Sequence, residues 1–206
     1  MSQYKDFIQD FPKRCQEILT FSHGQAVARG REVTLSLMVA SSAFLVPYER
    51  LRSNGRYEHP AKDRNKFPEA ANKLNQLFEQ KFIGSEVWPY DVSSWSSGEL
   101  KSIEGEVENW RELRNPKSIS PNKQVKSVLG ILRKALGHGN IYTRGGSIIE
   151  TLVFVSAIED SGKFIGYRYI QMSPVDFRRF LLCWFKFLSD FNIAQEAAFR
   201  AVSEAA

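Results

Sequence analysis

The chain is poor in the residues that metal centres and disulfide scaffolds need, with two cysteines and three histidines in 206 residues. Cys15 and Cys183 are far apart and have no chelating spacing. No acidic cluster has two-metal character, so metal-dependent hydrolysis is not expected and no metal or other cofactor is assigned. Long hydrophobic runs are missing too: the richest, Leu35 to Pro47, is short for a membrane span and carries serines. Met1 to Asp6 lacks the basic start of a secretory leader. The expectation is a cytoplasmic protein with reduced cysteines and no membrane contact. No glycine-rich loop follows a strand, which argues against a nucleotide cradle. Internal repeats and low-complexity segments are absent as well.

What remains is an ordinary globular balance, 43% hydrophobic and 25% charged. Fifteen Phe and four Trp supply bulky core or interface rings. The net charge of +5 favours a polyanionic partner only where the charge is localised. The length suits one domain over residues 1–206, with a tail from 192 that frays.

Apolar spacing predicts a first helix over Tyr4 to Phe21, interrupted or restarted at Pro12, and a second over Arg31 to Leu51, kinked or ended at Pro47. Phe67 to Phe82 forms the clearest amphipathic helix. Gly84 to Gly98 is irregular, and Leu100 to Leu113 is read as a charged helix. Ser120-Pro121 is expected to open a helix that runs to His138, with Gly139 and Asn140 as stop signals. The period then changes. Ile148 to Ile158 and Lys163 to Met172 flank Glu159-Asp160-Ser161-Gly162, a β-hairpin pattern. Ser173-Pro174 caps an apolar helix to Phe191, and Ala194 to Ala206 is read as a terminal helix. The fold class is therefore mainly α, with one β-hairpin inserted near residues 148–172.

The helix ending at His138 carries the candidate chemistry. At about 100° per residue, Val125, Val128, Leu129, Leu132, Ala135 and Leu136 form a core stripe. Lys123, Ser127, Gly130, Lys134 and Gly137 gather opposite it. Arg133 and His138 flank that second face, about 140° apart around the axis and about 7.5 Å along it. The two glycines leave a shallow strip open to a phosphodiester or another helix. RNA brings its own nucleophile, the 2′-OH, so a protein need supply only proton transfer and charge stabilisation. An imidazole titrating near neutrality can do the first and a guanidinium fork the second. One His and one Arg make a sparse site; two copies meeting would supply two of each.

The string Arg133-Lys134-Ala135-Leu136-Gly137-His138-Gly139-Asn140-Ile141 resembles the R-x4-6-H signature of the HEPN superfamily. Phe44-Leu45-Val46-Pro47-Tyr48-Glu49-Arg50-Leu51 and the hairpin from Glu150 are similar to a plasmid-encoded group of HEPN nucleases. The resemblance implies an antiparallel helical bundle, usually homodimeric, whose motif helices meet at a cleft. It implies metal-independent endoribonuclease activity that leaves 2′,3′-cyclic phosphate and 5′-hydroxyl ends, in a toxin or phage-defence role. Arg133 and His138 match the two signature positions, and Lys134 and Asn140 are supporting candidates for RNA contact. Many active members carry Asn, Asp or His after the arginine, where Lys134 stands here. RNA, a second copy of the chain and an antitoxin protein are the implied partners. The rival reading is a non-catalytic HEPN-fold module that binds RNA or a partner protein, of the antitoxin or nucleotidyltransferase kind.

Bland readings stand beside these. Arg52 and His59 satisfy the loosest R-x-H spacing within a loop, so spacing alone is weak. His138 also suits a helix C-terminus. Lys134 reads equally as a solvated lysine, and Asn140 as a left-handed cap. The basic segment Arg52, Arg56, Lys62, Arg64 and Lys66 reads as a phosphate-binding arm or a solvated loop. Trp88, Tyr90 and Trp95 either stack on bases or pin an irregular segment. His23 receives no role.

Overall fold

The computed structural model describes residues 4–52, 59–91 and 94–193. It is mainly helical, with seven α-helices and one four-stranded sheet among the described residues. Helix α1 (Asp10–Ala28) begins later than the apolar spacing suggests and runs further. Asp6 explains the start: its carboxylate accepts the backbone N–H groups of Ile8 and Asp10 at 2.8 and 3.2 Å. Donors with no intrahelical partner are thereby satisfied ahead of the first turn. Pro12 then falls within that turn, where a missing N–H costs nothing.

The expected second helix is two, α2 (Glu32–Ala43) and α3 (Leu45–Leu51). Pro47 has no N–H to offer the carbonyl of Ala43, four residues earlier. Trp184 takes that carbonyl instead, its indole N–H donating to it at 3.1 Å. The Ala43 carbonyl is therefore satisfied across the break, which redirects the chain so that α3 faces the motif helix. A short α4 (Asp63–Lys66) leads into α5 (Pro68–Glu79), which buries Ala70, Ala71, Leu74, Leu77 and Phe78 along one stripe.

The predicted charged helix at 100–113 is absent. Ser96–Leu100 is instead strand β1, followed by two single 3₁₀ turns at Val107–Asn109 and Arg111–Leu113. The β-hairpin forms nearly as predicted, from β3 (Thr151–Asp160) and β4 (Lys163–Met172), and a short β2 (Ile141–Arg144) precedes it. The sheet order is β1-β4-β3-β2 with every pair antiparallel, so the hairpin is the centre of a larger sheet.

Both faces of that sheet are covered. Leu152, Phe154, Ile170 and Met172 join the helical core, while Val153, Val155 and Tyr169 pack with Leu100, Val107, Trp110 and Leu113. Two-sided burial explains the unbroken buried run from Leu152 to Ser156. Helix α6 (Val125–His138) lies against β3 and starts four residues later than Ser120-Pro121 suggests, with Gln124 at its N-cap. Helix α7 (Pro174–Ser189) starts as predicted: Ser173 Oγ accepts the Asp176 backbone N–H at 3.1 Å. The terminal helix read at 194–206 lies outside the described residues, as do Arg56 and Glu58 of the basic segment. No helix among the described residues is long and apolar enough to cross a membrane.

Candidate functional site

Helix α6 divides as its sequence predicts, except that Lys123 lies before its start and donates to Ser97 Oγ at 3.2 Å instead of joining the polar face. Val125, Val128, Leu129, Ile131, Leu132, Ala135 and Leu136 are buried. Lys126, Ser127, Lys134, Gly137 and His138 are exposed, and Gly130 and Arg133 half-buried. Arg133 and His138 thus bound one continuous polar arc. A Cβ built on Gly130 or Gly137 would meet nothing within 4 Å, so neither glycine serves packing inside the chain.

Arg133 is held in place. Its Nε donates to Glu49 Oε1 of α3, 84 residues away in sequence. The bond raises the guanidinium above its ordinary value, so it stays charged at any working pH. Among the described residues it makes no other hydrogen bond, which leaves both terminal amines available to an incoming anion. Their fork geometry suits two phosphate oxygens. Tyr48, next to Glu49, is buried, and burial pushes its hydroxyl up, partly offset by a hydrogen bond from Arg52. Arg52 also stands over that ring, 5.5 Å from its centroid. Arg50 points to the other side of α3, paired with the buried Asp63 at 2.6 Å and set over Phe7 at 4.6 Å.

Helix α6 ends at Gly139, whose φ of 71° is the left-handed conformation of a C-cap. Asn140, whose type suits either a left-handed cap or a polar site residue, is not the cap: its φ is not positive. Its backbone works instead as the joint to the sheet: the N–H donates to Ala135 at 2.9 Å and the carbonyl accepts from Val155 at 3.0 Å. The turn leaves His138 at the rim of the helix, where it makes no hydrogen bond or ion pair among the described residues. Lys134 is likewise exposed and unpaired.

Other candidates are placed differently. Trp88 and Trp95 are 2% and 0% exposed, so they pin their segment and present no face to a base; Tyr90 remains exposed. In the basic segment, Lys62 has a left-handed φ of 53° and Lys66 approaches Asp63 at 3.7 Å, so part of that charge closes α4 locally. Arg52 and His59, the imitation of the motif, form no joint site. Arg52 lines a groove with Gly130 of α6, whereas His59 lines a different one with Phe7 and Glu49. Among the described residues, no group of three or more His, Cys, Asp or Glu side chains is placed to hold a metal ion.

No local pattern marks Glu49 as a partner of Arg133, although the string Phe44 to Leu51 contains it. A helical fold with an Arg and a His bounding one exposed helix face is the arrangement expected of a HEPN protein. The chain belongs to this superfamily: the family HEPN pEK499 p136 matches residues 1–195. No curated protein and no solved structure matches it.

Proposed function

We propose that the protein is a metal-independent endoribonuclease with Arg133 and His138 at its active site. The observation that carries this reading is the state of Arg133: Glu49 engages its Nε and leaves the terminal amines unpaired, on the same arc as an unencumbered imidazole. The ribose 2′-OH attacks the adjacent phosphorus, the P–O5′ bond breaks, and a 2′,3′-cyclic phosphate and a 5′-hydroxyl result. A His138 imidazole takes the 2′-OH proton or delivers one to O5′. Arg133 stabilises the charge that grows on the non-bridging oxygens.

A single imidazole serves one of the two proton transfers. The reading therefore includes a homodimer in which the arcs of two α6 helices meet, so that a second His138 completes the reaction. Gly137, lying between Arg133 and His138 with open space over it, permits close approach there. The helices are taken as an antiparallel bundle, in keeping with the short turn between α1 and α2. Lys134 contacts flanking phosphate, and Asn140 supports the rim. A toxin or phage-defence role, with an antitoxin as a further partner, follows from the family alone.

The test is a gel assay of RNA cleavage in EDTA with wild type, Arg133→Ala and His138→Ala. Wild type cleaves and both variants are inactive. Cleavage that vanishes with chelator, or survives both substitutions, contradicts the mechanism.

A second reading is favoured by two features of the same geometry. Glu49 neutralises the charge of Arg133, and Lys134 offers no proton acceptor. A non-catalytic module would use the same face to hold RNA or a protein. Retention of intact RNA by wild type, with no cleavage, distinguishes it.

A further inference from the structure

A groove of about 660 Å³ runs between the end of α3, α5 and the first half of α6, and reaches Gly130, three residues before Arg133 on that helix. We infer that it is a subsite for a nucleotide next to the scissile phosphate of single-stranded RNA, an assignment that rests on the ribonuclease reading. Arg52 lies on one wall, and Lys126 and Gly130 form the α6 wall. Helical spacing puts Lys126, Gly130 and Arg133 on one side of α6, with Lys126 about 10.5 Å along the axis from Arg133. A strand whose phosphate is gripped by Arg133 therefore passes over Gly130 toward Lys126 and Arg52.

The chemistry of the lining suits a nucleotide. The two cations meet the sugar–phosphate backbone. Asn75 and Glu79, from α5, supply an amide and a carboxylate to the edge of a base. Tyr48 is buried beneath, and the Arg52 guanidinium stands over its ring, 5.5 Å from the centroid, which keeps that cation at the groove. Gly130 has no internal reason to lack a side chain, since a Cβ there meets nothing within 4 Å. A ligand running along the backbone supplies the reason that packing does not.

The experiment uses the full chain carrying His138→Ala, so that RNA is bound without being cut. Binding of a ten-nucleotide single-stranded RNA is followed by fluorescence anisotropy across a salt series. Arg52→Ala with Lys126→Ala lowers affinity by roughly tenfold or more at low salt and reduces the slope of log K against log salt by about 1.4, two phosphate contacts' worth. Gly130→Leu lowers affinity as well while raising the melting temperature, because leucine is the better helix former. That opposite movement separates a blocked groove from a damaged fold. Affinity and slope unchanged in both variants, with the His138→Ala parent still binding, overturn the subsite and leave the ribonuclease reading standing. A parent that does not bind RNA, together with a wild type that does not cut it, overturns both. A change in oligomeric mass on Gly130→Leu, with RNA affinity untouched, assigns the groove to a protein contact and overturns the inference.

Discussion

Glu49 accepts the Arg133 Nε–H and so fixes the direction of that guanidinium. A charge-assisted hydrogen bond of this kind contributes about 1.5–3 kcal/mol to holding a geometry, and in a transition state that is roughly ten- to a hundredfold in rate. Glu49→Gln is therefore expected to lower kcat by about tenfold or more while KM moves little, as steady-state cleavage of a fluorogenic RNA would show. Faster cleavage on that substitution would mean that Glu49 restrains Arg133 and does not orient it. Asp63 makes a purely structural contrast. It is 4% exposed and pairs with Arg50, so Asp63→Ala strands a guanidinium against the core. The expected loss is about 3 kcal/mol in a urea melt, with cleavage by the remaining folded protein intact. The placing of Arg133 and His138 on one polar arc of α6 was legible from the helical period. Glu49 was not, because its bond spans 84 residues and no local pattern encodes it.

At the scale of elements, sequence legibility followed the range of the interactions. Helix α6 was readable because its core stripe repeats within one helix, and α7 because Ser173 and Pro174 act locally. Strand β1 was not, since Ser96 to Leu100 has little strand character and is held by pairing with Gln171 to Tyr167. Gly98 shows how far tertiary context dictates it: a Cβ there would meet the Tyr169 ring at 2.8 Å. Leu100 to Leu113 looked helical from its charges, but Val107, Trp110 and Leu113 are fixed by the outer face of the sheet. Gly130 offers the complementary test within α6. Gly130→Ala adds a methyl into open space in a helix interior, so stability should rise by about 0.5–1 kcal/mol, or roughly 1–4 °C in Tm. A destabilised variant in a thermal melt would mean that the backbone at this position is tighter than its surroundings indicate.

Across the whole molecule, the helices and the sheet share a core reaching from Ile8 to Ile193, and half-buried His23 on α1 couples the fold to pH. Burial lowers the His23 pKa from its ordinary value, the Arg178 charge adds to the effect, and Glu32 opposes it. The folded protein thus binds fewer protons than the unfolded chain just below the ordinary imidazole value. Its stability is then fully present above about pH 6.5 and falls as pH drops through the lowered folded value. Urea midpoints should decline with acidification in wild type and decline less in His23→Gln. An equal decline in both would place the acid sensitivity elsewhere.

The central claim, that Arg133 and His138 cleave RNA by 2′-OH attack without metal, is tested most directly by the chemistry of the product ends. Wild-type protein in excess EDTA is mixed with a defined RNA, and the fragments are weighed by mass spectrometry. The expected fragments carry 2′,3′-cyclic phosphate and 5′-hydroxyl termini and are absent with Arg133→Ala and with His138→Ala. Fragments with 5′-phosphate ends, or no fragments from wild type, would contradict it.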